Sequence, residues 1–480
     1  MQLRDYQERI IEDLRAAFKG RRSVCLQLET GGGKTAIAGQ IAANLSKNTR
    51  ERRTVALMLV HRKELIHQAW KTLDEFGLGK NTGVIAAGHP ESPWASLQIA
   101  SIPTLVRRLG KVEWCDPRLI IVDEAHHARA STWERVIVNW PKARVLGLTA
   151  TPVRLDGKGL GSIFDKLVCG PSMSELTAEG YLAQCDVYSL PIGAALESVK
   201  KIAGEYSKKE QSAVSGKVVA KTLDAWERIA PDERTIVFSA TTADSEDFAA
   251  RLRARGYTAE HMDANTDPLL RAAIMGRFRT GATQTLCNVE LITEGVDVPE
   301  CGCVLVRRKT ASFGLWRQMI GRALRPKKDG RKAIVIDGAG NYDEHGGPGD
   351  DVDWTLTHGA GDPNDKKKAK IKPRACFNCS YVYSRSLKQC PLCGHVPKAA
   401  ILEEVEVQIV KRDGKRRKAR RKTPVPAKVL NAKVFKTYGN VNELEKIAAE
   451  YGYNPFVIKH WTKLYETTWE RIAARQNRGL

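Results

Sequence analysis

Val24-Cys25-Leu26-Gln27-Leu28, then Thr30-Gly31-Gly32-Gly33-Lys34-Thr35, then Ala36-Ile37-Ala38-Gly39-Gln40-Ile41-Ala42 read as a buried strand, a glycine-rich turn and a helix. Backbone N–H groups of such a turn can surround phosphate oxygens, because glycine tolerates the required dihedrals and puts no side chain in the way. In that setting Lys34 would reach the β- and γ-phosphates and Thr35 would hold Mg²⁺. The strict spacing asks for glycine five residues before Gly33, and Leu28 stands there. Strand, loop and helix in this order predict an α/β fold with a parallel sheet.

The same alternation of short apolar runs and amphipathic stretches continues to about residue 345. Thr54–Val60, Leu119–Val122 and Val145–Leu148 are expected as further strands of a first lobe. Thr235–Phe238, Gln284–Asn288, Cys303–Val306 and Ala333–Ile336 are expected as strands of a second. At the end of one apolar run, Ile120-Ile121-Val122 leads into Asp123 and Glu124. Asp123 would orient Mg²⁺ and Glu124 would polarise an attacking water. Acid pairs after strands are common, and this one gains meaning from the loop about ninety residues earlier. In the second lobe Gln318-Met319-Ile320-Gly321-Arg322-Ala323-Leu324-Arg325 places Arg322 and Arg325 on one helix face. Planar guanidinium groups suit the charge that develops on a transferring phosphoryl group, and two solvated arginines are the plain alternative. If the arginines reach across a cleft, hydrolysis requires closure of two lobes.

Across 480 residues there are 77 Lys/Arg against 55 Asp/Glu, a net charge of +22. Such a chain has the length of two to four domains. The charge favours a polyanionic partner, with nucleic acid preferred over a membrane surface because no amphipathic anchor accompanies it. The excess is concentrated: residues 366–428 carry 19 Lys/Arg and 4 Asp/Glu, and the first 365 residues are close to balance. Lys366-Lys367-Lys368 opens this region, and residues 411–422 hold nine basic residues in twelve. No apolar run is long enough for a membrane span and the charged N-terminus has no secretory core, so a cytoplasmic protein is expected. Eleven cysteines then imply reduced thiols and a metal site, not a disulfide framework.

Cys376, Cys379, Cys390 and Cys393 form two C-x2-C knuckles, the thiolate arrangement of a structural, tetrahedral zinc site. Pro391 and Gly394 would shape the second knuckle; the other seven cysteines have no ligand spacing. Tyr381 and Tyr383, with the flanking cations, would give a salt-sensitive, sequence-tolerant nucleic-acid grip, against the alternative of a solvated basic tail.

Eight segments in order carry a wider likeness: Leu3-Arg4-Asp5-Tyr6-Gln7, the phosphate loop, Val60-His61-Arg62, Asp123-Glu124-Ala125-His126, Leu148-Thr149-Ala150-Thr151-Pro152, Ile236-Val237-Phe238, Glu294-Gly295-Val296-Asp297-Val298-Pro299 and Gln318 to Arg325. Over about residues 1–345 the chain resembles the superfamily 2 helicases, within them the DEAH-type proteins related to restriction-enzyme motor subunits. Thr151–Gly161, Asp337-Gly338-Ala339-Gly340-Asn341 and the cysteine module also look like the RadD group of bacterial and phage helicases. The resemblance implies two RecA-like lobes in tandem with ATP bound between them. It implies that Gln7 reads adenine, that Gly295 and Asp297 contact nucleotide and nucleic acid, and that Thr149 and Thr151 link hydrolysis to lobe movement. It also implies that Gln318, Arg322 and Arg325 act on the nucleotide in trans, and that His61-Arg62 and Ser101–Leu105 touch a strand backbone.

The expected plan is a first RecA-like lobe at 1–165, a connector at 166–230 and a second lobe at 231–345. A linker at 346–370, a zinc ribbon at 371–398, a basic arm at 399–428 and a helical end-piece at 429–480 follow, the last with Trp461, Tyr465 and Trp469 as packing residues. The expected activity is an ATP-dependent DNA helicase or translocase in DNA repair, recombination or phage DNA metabolism, requiring ATP, Mg²⁺ and Zn²⁺. DNA is favoured over RNA, and protein partners would attach through the C-terminal module. The alternatives are a duplex translocase that does not separate strands and a nucleic-acid clamp with weak ATPase. No nuclease motif is found.

Overall fold

The computed structural model describes residues 2–47, 54–61, 63–127, 130–154, 159–191, 196, 199–202, 204–292, 298, 300–357, 359–360 and 373–397. Arg62, Gly295, Asp297, the Lys366–Lys368 cluster, the basic arm and the end-piece lie outside them. The first lobe begins with α1 (Asp5–Ala17), β1 (Ser23–Gln27), α2 (Lys34–Lys47), β2 (Ala56–Val60), α3 (Lys63–Glu75), β3 (Thr82–Ile85) and β4 (Leu97–Ser101). It continues with α4 (Ile102–Arg108), β5 (Leu119–Val122), α5 (Ala130–Asn139), β6 (Arg144–Thr149) and β7 (Lys166–Cys169). Its seven strands lie in the order β3-β4-β2-β5-β6-β1-β7, every pair parallel.

After α6 (Met173–Ala178) come β8 (Cys185–Ser189), the short hairpin β9 (Lys201–Ile202) and β10 (Glu205–Tyr206), and α7 (Lys208–Ile229). Then follow β11 (Thr235–Phe238), α8 (Thr242–Ala254), β12 (Ala259–Met262), α9 (Pro268–Thr280), β13 (Thr285–Asn288), β14 (Cys303–Val306), α10 (Phe313–Ile320), β15 (Ala333–Asp337) and α11 (Asn341–His345). The second sheet has the order β12-β13-β11-β14-β15-β8, again all parallel. Two small hairpins finish the described chain, β16 (Trp354–Thr355) with β17 (Gly359–Ala360) and β18 (Arg374–Ala375) with β19 (Val382–Tyr383).

Strand periodicity sorts the core. Val24 and Leu26 of β1 face one apolar cluster and Cys25 faces another; Ile121 and Ile120 of β5 divide in the same way. In the second lobe Ile236 and Phe238 join the first cluster, whereas Val237 turns to a third. Sheets buried on both faces read as continuous apolar runs, which is why these strands were legible.

The stretch 166–230, expected as a connector, gives β7 to the first sheet and β8 to the second, and α7 packs on α8. β3, β4 and β12 also escaped the sequence reading because polar residues interrupt them. Gln98 of β4 is buried and donates to Ser92 O, and Glu260 of β12 takes a guanidinium fork from Arg277.

The segment expected as a linker begins with a strap that returns to the first lobe. Leu356 O accepts from Gly161 N at 2.9 Å, its side chain packs on the first lobe's second cluster, and the Asp351 carboxylate accepts from Ser174 Oγ at 2.8 Å. No helix among the described residues is long and apolar enough to cross a membrane.

Candidate active site

In a parallel sheet every strand's carboxyl end lies on one edge, and loops leaving that edge build sites. Gln27 of β1 sits beside Thr149 of β6, and Val122 of β5 beside Gly147, so 28–35, 123–126 and 149–152 converge. With Arg322 and Arg325 from beyond α10, these loops enclose a cavity of about 240 Å³ lined by Thr30, Gly31, Gly33, Lys34, Thr35, Asp123 and Glu124 among others.

Gly31 and Gly33 hold φ at 92° and 85°, the left-handed region that a side chain rarely enters. A Cβ on Gly33 would also overlap the Gln7 amide. That amide is engaged at both ends: Oε1 accepts from Arg4 N and Nε2 donates to Gly32 O, each at 3.0 Å. Tyr6 OH donates to the same Gly32 carbonyl at 2.7 Å. Here Gln7 braces the loop from α1 and does not line the cavity. Leu28, where the strict motif has glycine, is fully buried, its side chain packed under Gly32 and Gly170. Lys34 Nζ donates to Leu28 O at 3.0 Å. The loop thus presents backbone N–H groups and an ammonium at the start of a helix, the chemistry of an anion cradle.

Opposite the loop, Asp123 is pushed up to about 7, first by burial and then by the Glu124 carboxylate; Lys34 opposes this. Glu124 has φ 50°, uncommon for a residue with a side chain. Its Oε2 lies 3.4 Å from His126 Nδ1, which is 3.0 Å from Thr149 Oγ1. That hydroxyl donates to Thr151 O at 2.9 Å, so its single proton is committed and His126 Nδ1 must be the donor. Gln318 Nε2 of the second lobe meets His126 Nε2 at 3.3 Å. One imidazole therefore joins Glu124, Thr149 and Gln318.

Helix α10 carries the second lobe to this site. Ser312 caps it, accepting from Leu315 N at 3.2 Å, and Trp316 to Ile320 are all buried. It packs against the phosphate loop with nothing between: a Cβ on Gly321 would lie 2.9 Å from Thr30 Cβ. Arg317 is almost fully buried; it donates to Gly347 O, Pro348 O and Asp350 O of the strap and lies 3.5 Å from Glu29 Oε1. Burial raises the Glu29 carboxyl, with Arg317 pulling it down. Neither Arg317 nor the strap carbonyls were singled out in the sequence. Glu29 beside the loop and Arg317 beside Gln318 are a signal only in hindsight, since a backbone acceptor leaves no mark in sequence.

The four cysteines are also brought together, their sulfurs all within 4.8 Å of one another. Cys376–Cys393 and Cys379–Cys390 sulfurs are 3.6 and 3.7 Å apart, close to the roughly 3.8 Å that two 2.3 Å zinc–sulfur bonds at a tetrahedral angle would set. The knuckles repeat each other: Ser380 N and Gly394 N donate to Cys376 O and Cys390 O, both at 2.9 Å, with φ of 64° and 71°. The His395 backbone N–H holds the Cys393 thiol down to about 6. The module docks on the second sheet through Ser380 O, which accepts from Ser189 N at 3.0 Å, and through Tyr381, whose hydroxyl donates to Asp186. Tyr383 is buried in the module's own core. Both tyrosines are packing residues, which corrects their expected place in a nucleic-acid grip.

Fold and site together define a two-lobed nucleotide-binding protein with a composite cavity at the phosphate loop. Residues 1–154 match the family model of the type III restriction enzyme res subunit, and 217–327 match the helicase conserved C-terminal domain. A 51.5 kDa protein of a Lactococcus phage is 30% identical over 371 residues, 77% of each chain. IRC3 of Saccharomyces cerevisiae is 29% identical over 70% of this chain, which spans only 51% of that protein. The DNA 3'-5' translocase XPB2 of Sulfurisphaera tokodaii is 25% identical over 70% of this chain and 81% of its own. Among solved structures, a fragment of an HsdR-type subunit of a type I restriction enzyme from Vibrio vulnificus shares the fold, with a TM-score of 0.57, 20% identity, and coverage of 72% and 65%. The chain belongs to the superfamily 2 helicases of the restriction-subunit-like kind, and is an ATP-hydrolysing member of that family.

Proposed function

We propose that this chain hydrolyses ATP between its lobes to move on DNA. The observation that carries the reading is a single cavity lined by Lys34, Thr35, Asp123 and Glu124 from one lobe and Arg322 and Arg325 from the other. In this reading the 30–35 loop and Lys34 hold the phosphates, Glu124 orients the attacking water, and Arg322 and Arg325 meet charge developing on the γ-phosphate. Thr35 and Asp123 would hold Mg²⁺, which neutralises phosphate charge and would offset the burial that pushes the Asp123 carboxyl up. Through His126, Gln318 reports lobe closure to Glu124. Gln7 would read adenine only by exchanging its bond to Gly32, and Gly295 and Asp297, outside the described residues, would contact nucleotide and strand. The four cysteines would hold structural Zn²⁺, cross-linking the two knuckles around their small core.

The relatives support a DNA track in repair, recombination or phage DNA metabolism: one comes from a phage, and XPB2 is named a DNA translocase. That name also favours a second reading, movement along duplex DNA without strand separation. Steady-state ATPase measured alone, with single-stranded DNA, duplex DNA and single-stranded RNA, tests the proposal against Lys34→Ala. Stimulation by DNA, lost in Lys34→Ala while DNA binding persists, is expected. No stimulation by any polymer would sink the motor and leave a nucleic-acid clamp. A strand-displacement assay then separates unwinding from translocation.

A further inference from the structure

The cysteine module turns an aromatic ring outward. Phe377, next to Cys376 on the first knuckle, is 85% exposed, and Leu392, between Cys390 and Cys393 on the second, is 55% exposed. The cysteine sulfurs that bring the knuckles together leave both side chains on the outside. The module's other aromatics are committed: Tyr381 lies against Tyr188 at 5.5 Å, and Tyr383 is buried with the Arg374 guanidinium 5.0 Å from its ring centroid. Phe377 has no such use within the fold.

Charge selects the occupant. Residues 373–397 contain Arg374, Arg385 and Lys388 and no carboxylate, five lysines precede them within 366–372, and nine basic residues follow within 411–422. A partner for a bare aromatic ring in cationic surroundings is itself anionic and offers flat apolar faces, which describes an unpaired nucleic-acid strand. Duplex DNA keeps those faces inside its stack. The module attaches at Tyr188 and Ser189, the carboxyl end of β8, and leaves Phe377 free of that attachment. Resting on the DNA reading above, we infer that Phe377, supported by Leu392, is a stacking platform for a base of single-stranded DNA.

The full-length chain, Phe377→Ala and Phe377→Trp are titrated with a labelled oligo-dT and with a duplex of equal length at two salt concentrations. Phe377→Ala should weaken oligo-dT binding by about five-fold or more, leave duplex affinity within about two-fold, and keep the salt slope, because no phosphate contact is removed. Phe377→Trp should restore affinity, with its indole emission quenched by oligo-dT. Unchanged oligo-dT affinity in Phe377→Ala overturns this inference alone and returns the knuckle faces to a protein partner. Equal losses on both DNAs also overturn it. A wild-type chain that binds no DNA overturns the reading beneath it as well.

Discussion

Arg317–Glu29 at the lobe contact and Arg277–Glu260 on the outer edge of the second sheet are one chemical pair in two surroundings. The first is 2% and 4% exposed at 3.5 Å; the second is 43% and 26% exposed, with a two-pronged fork whose closest approach is 2.6 Å. Their carboxyl groups respond in opposite directions. Burial pushes Glu29 up, whereas the Arg277 hydrogen bond pulls Glu260 down. At the lobe contact the attraction does not repay desolvation, so that pair is better understood as holding loop, helix and strap in register than as stabilising the fold. At the sheet edge water screens both partners, and the pair contributes little in either direction.

Arg317→Met should give the largest effect, about 3–5 kcal/mol of destabilisation in urea unfolding, because Glu29 is left buried without its guanidinium. Adding Glu29→Gln to that variant should recover much of the loss; a double variant no better than the single one would break the burial argument. Glu29→Gln by itself tests the sign. A carboxyl raised on folding contributes stability below its unfolded value, near 4.3, and loses it as pH rises through the folded value. The variant should therefore gain on wild type as pH increases, and a gain in the acid direction would contradict the raised carboxyl. Gln318→Ala removes a bridge to His126 and should cost roughly 0.5–1.5 kcal/mol, with DNA-stimulated ATPase falling more than basal ATPase. Arg277→Gln should give the smallest difference of the set at neutral pH, because water screens both partners. Glu260 is depressed, so that difference should vanish as pH falls below about 4; persistence in acid would point to lost packing instead.

What could be read beforehand follows from which groups carry a pattern. The strand runs from Val24, Ile120 and Ile236 are apolar on both faces and announce themselves, and the loop and acid pair stand at their ends. β8 and β12 carry Asp186, Glu260 and His261 at sheet edges, where one side is free to be polar, and they were missed. The cavity's charged lining was legible from its motifs, whereas Leu65, Gln68, Ala69 and Thr72 of α3, which complete it, carry no such mark. The strap was not, because Arg317 meets it through Gly347, Pro348 and Asp350 carbonyls, and any sequence has carbonyls. Tyr381 and Tyr383 pack inward, against the expected stacking role, since composition names an aromatic without saying which way it turns.

The strap makes the chain cross between lobes twice, once through α6 and once through 346–356, and Ser174 and Asp351 bond the two crossings side by side. A cover bound to its pages along one line can swing but not slide. Rotation about such a spine moves each side chain in proportion to its distance from it. Arg317, fastened to the strap, would travel least, and Arg325, two turns of chain further on, would travel more. Paired distance labels at 174 and 351 should then change less on nucleotide binding than a pair spanning residues 80 and 255. A small swing at Asp351 would thus become a larger stroke at the arginines, a gear ratio set by the stretch of chain between Arg317 and Arg325.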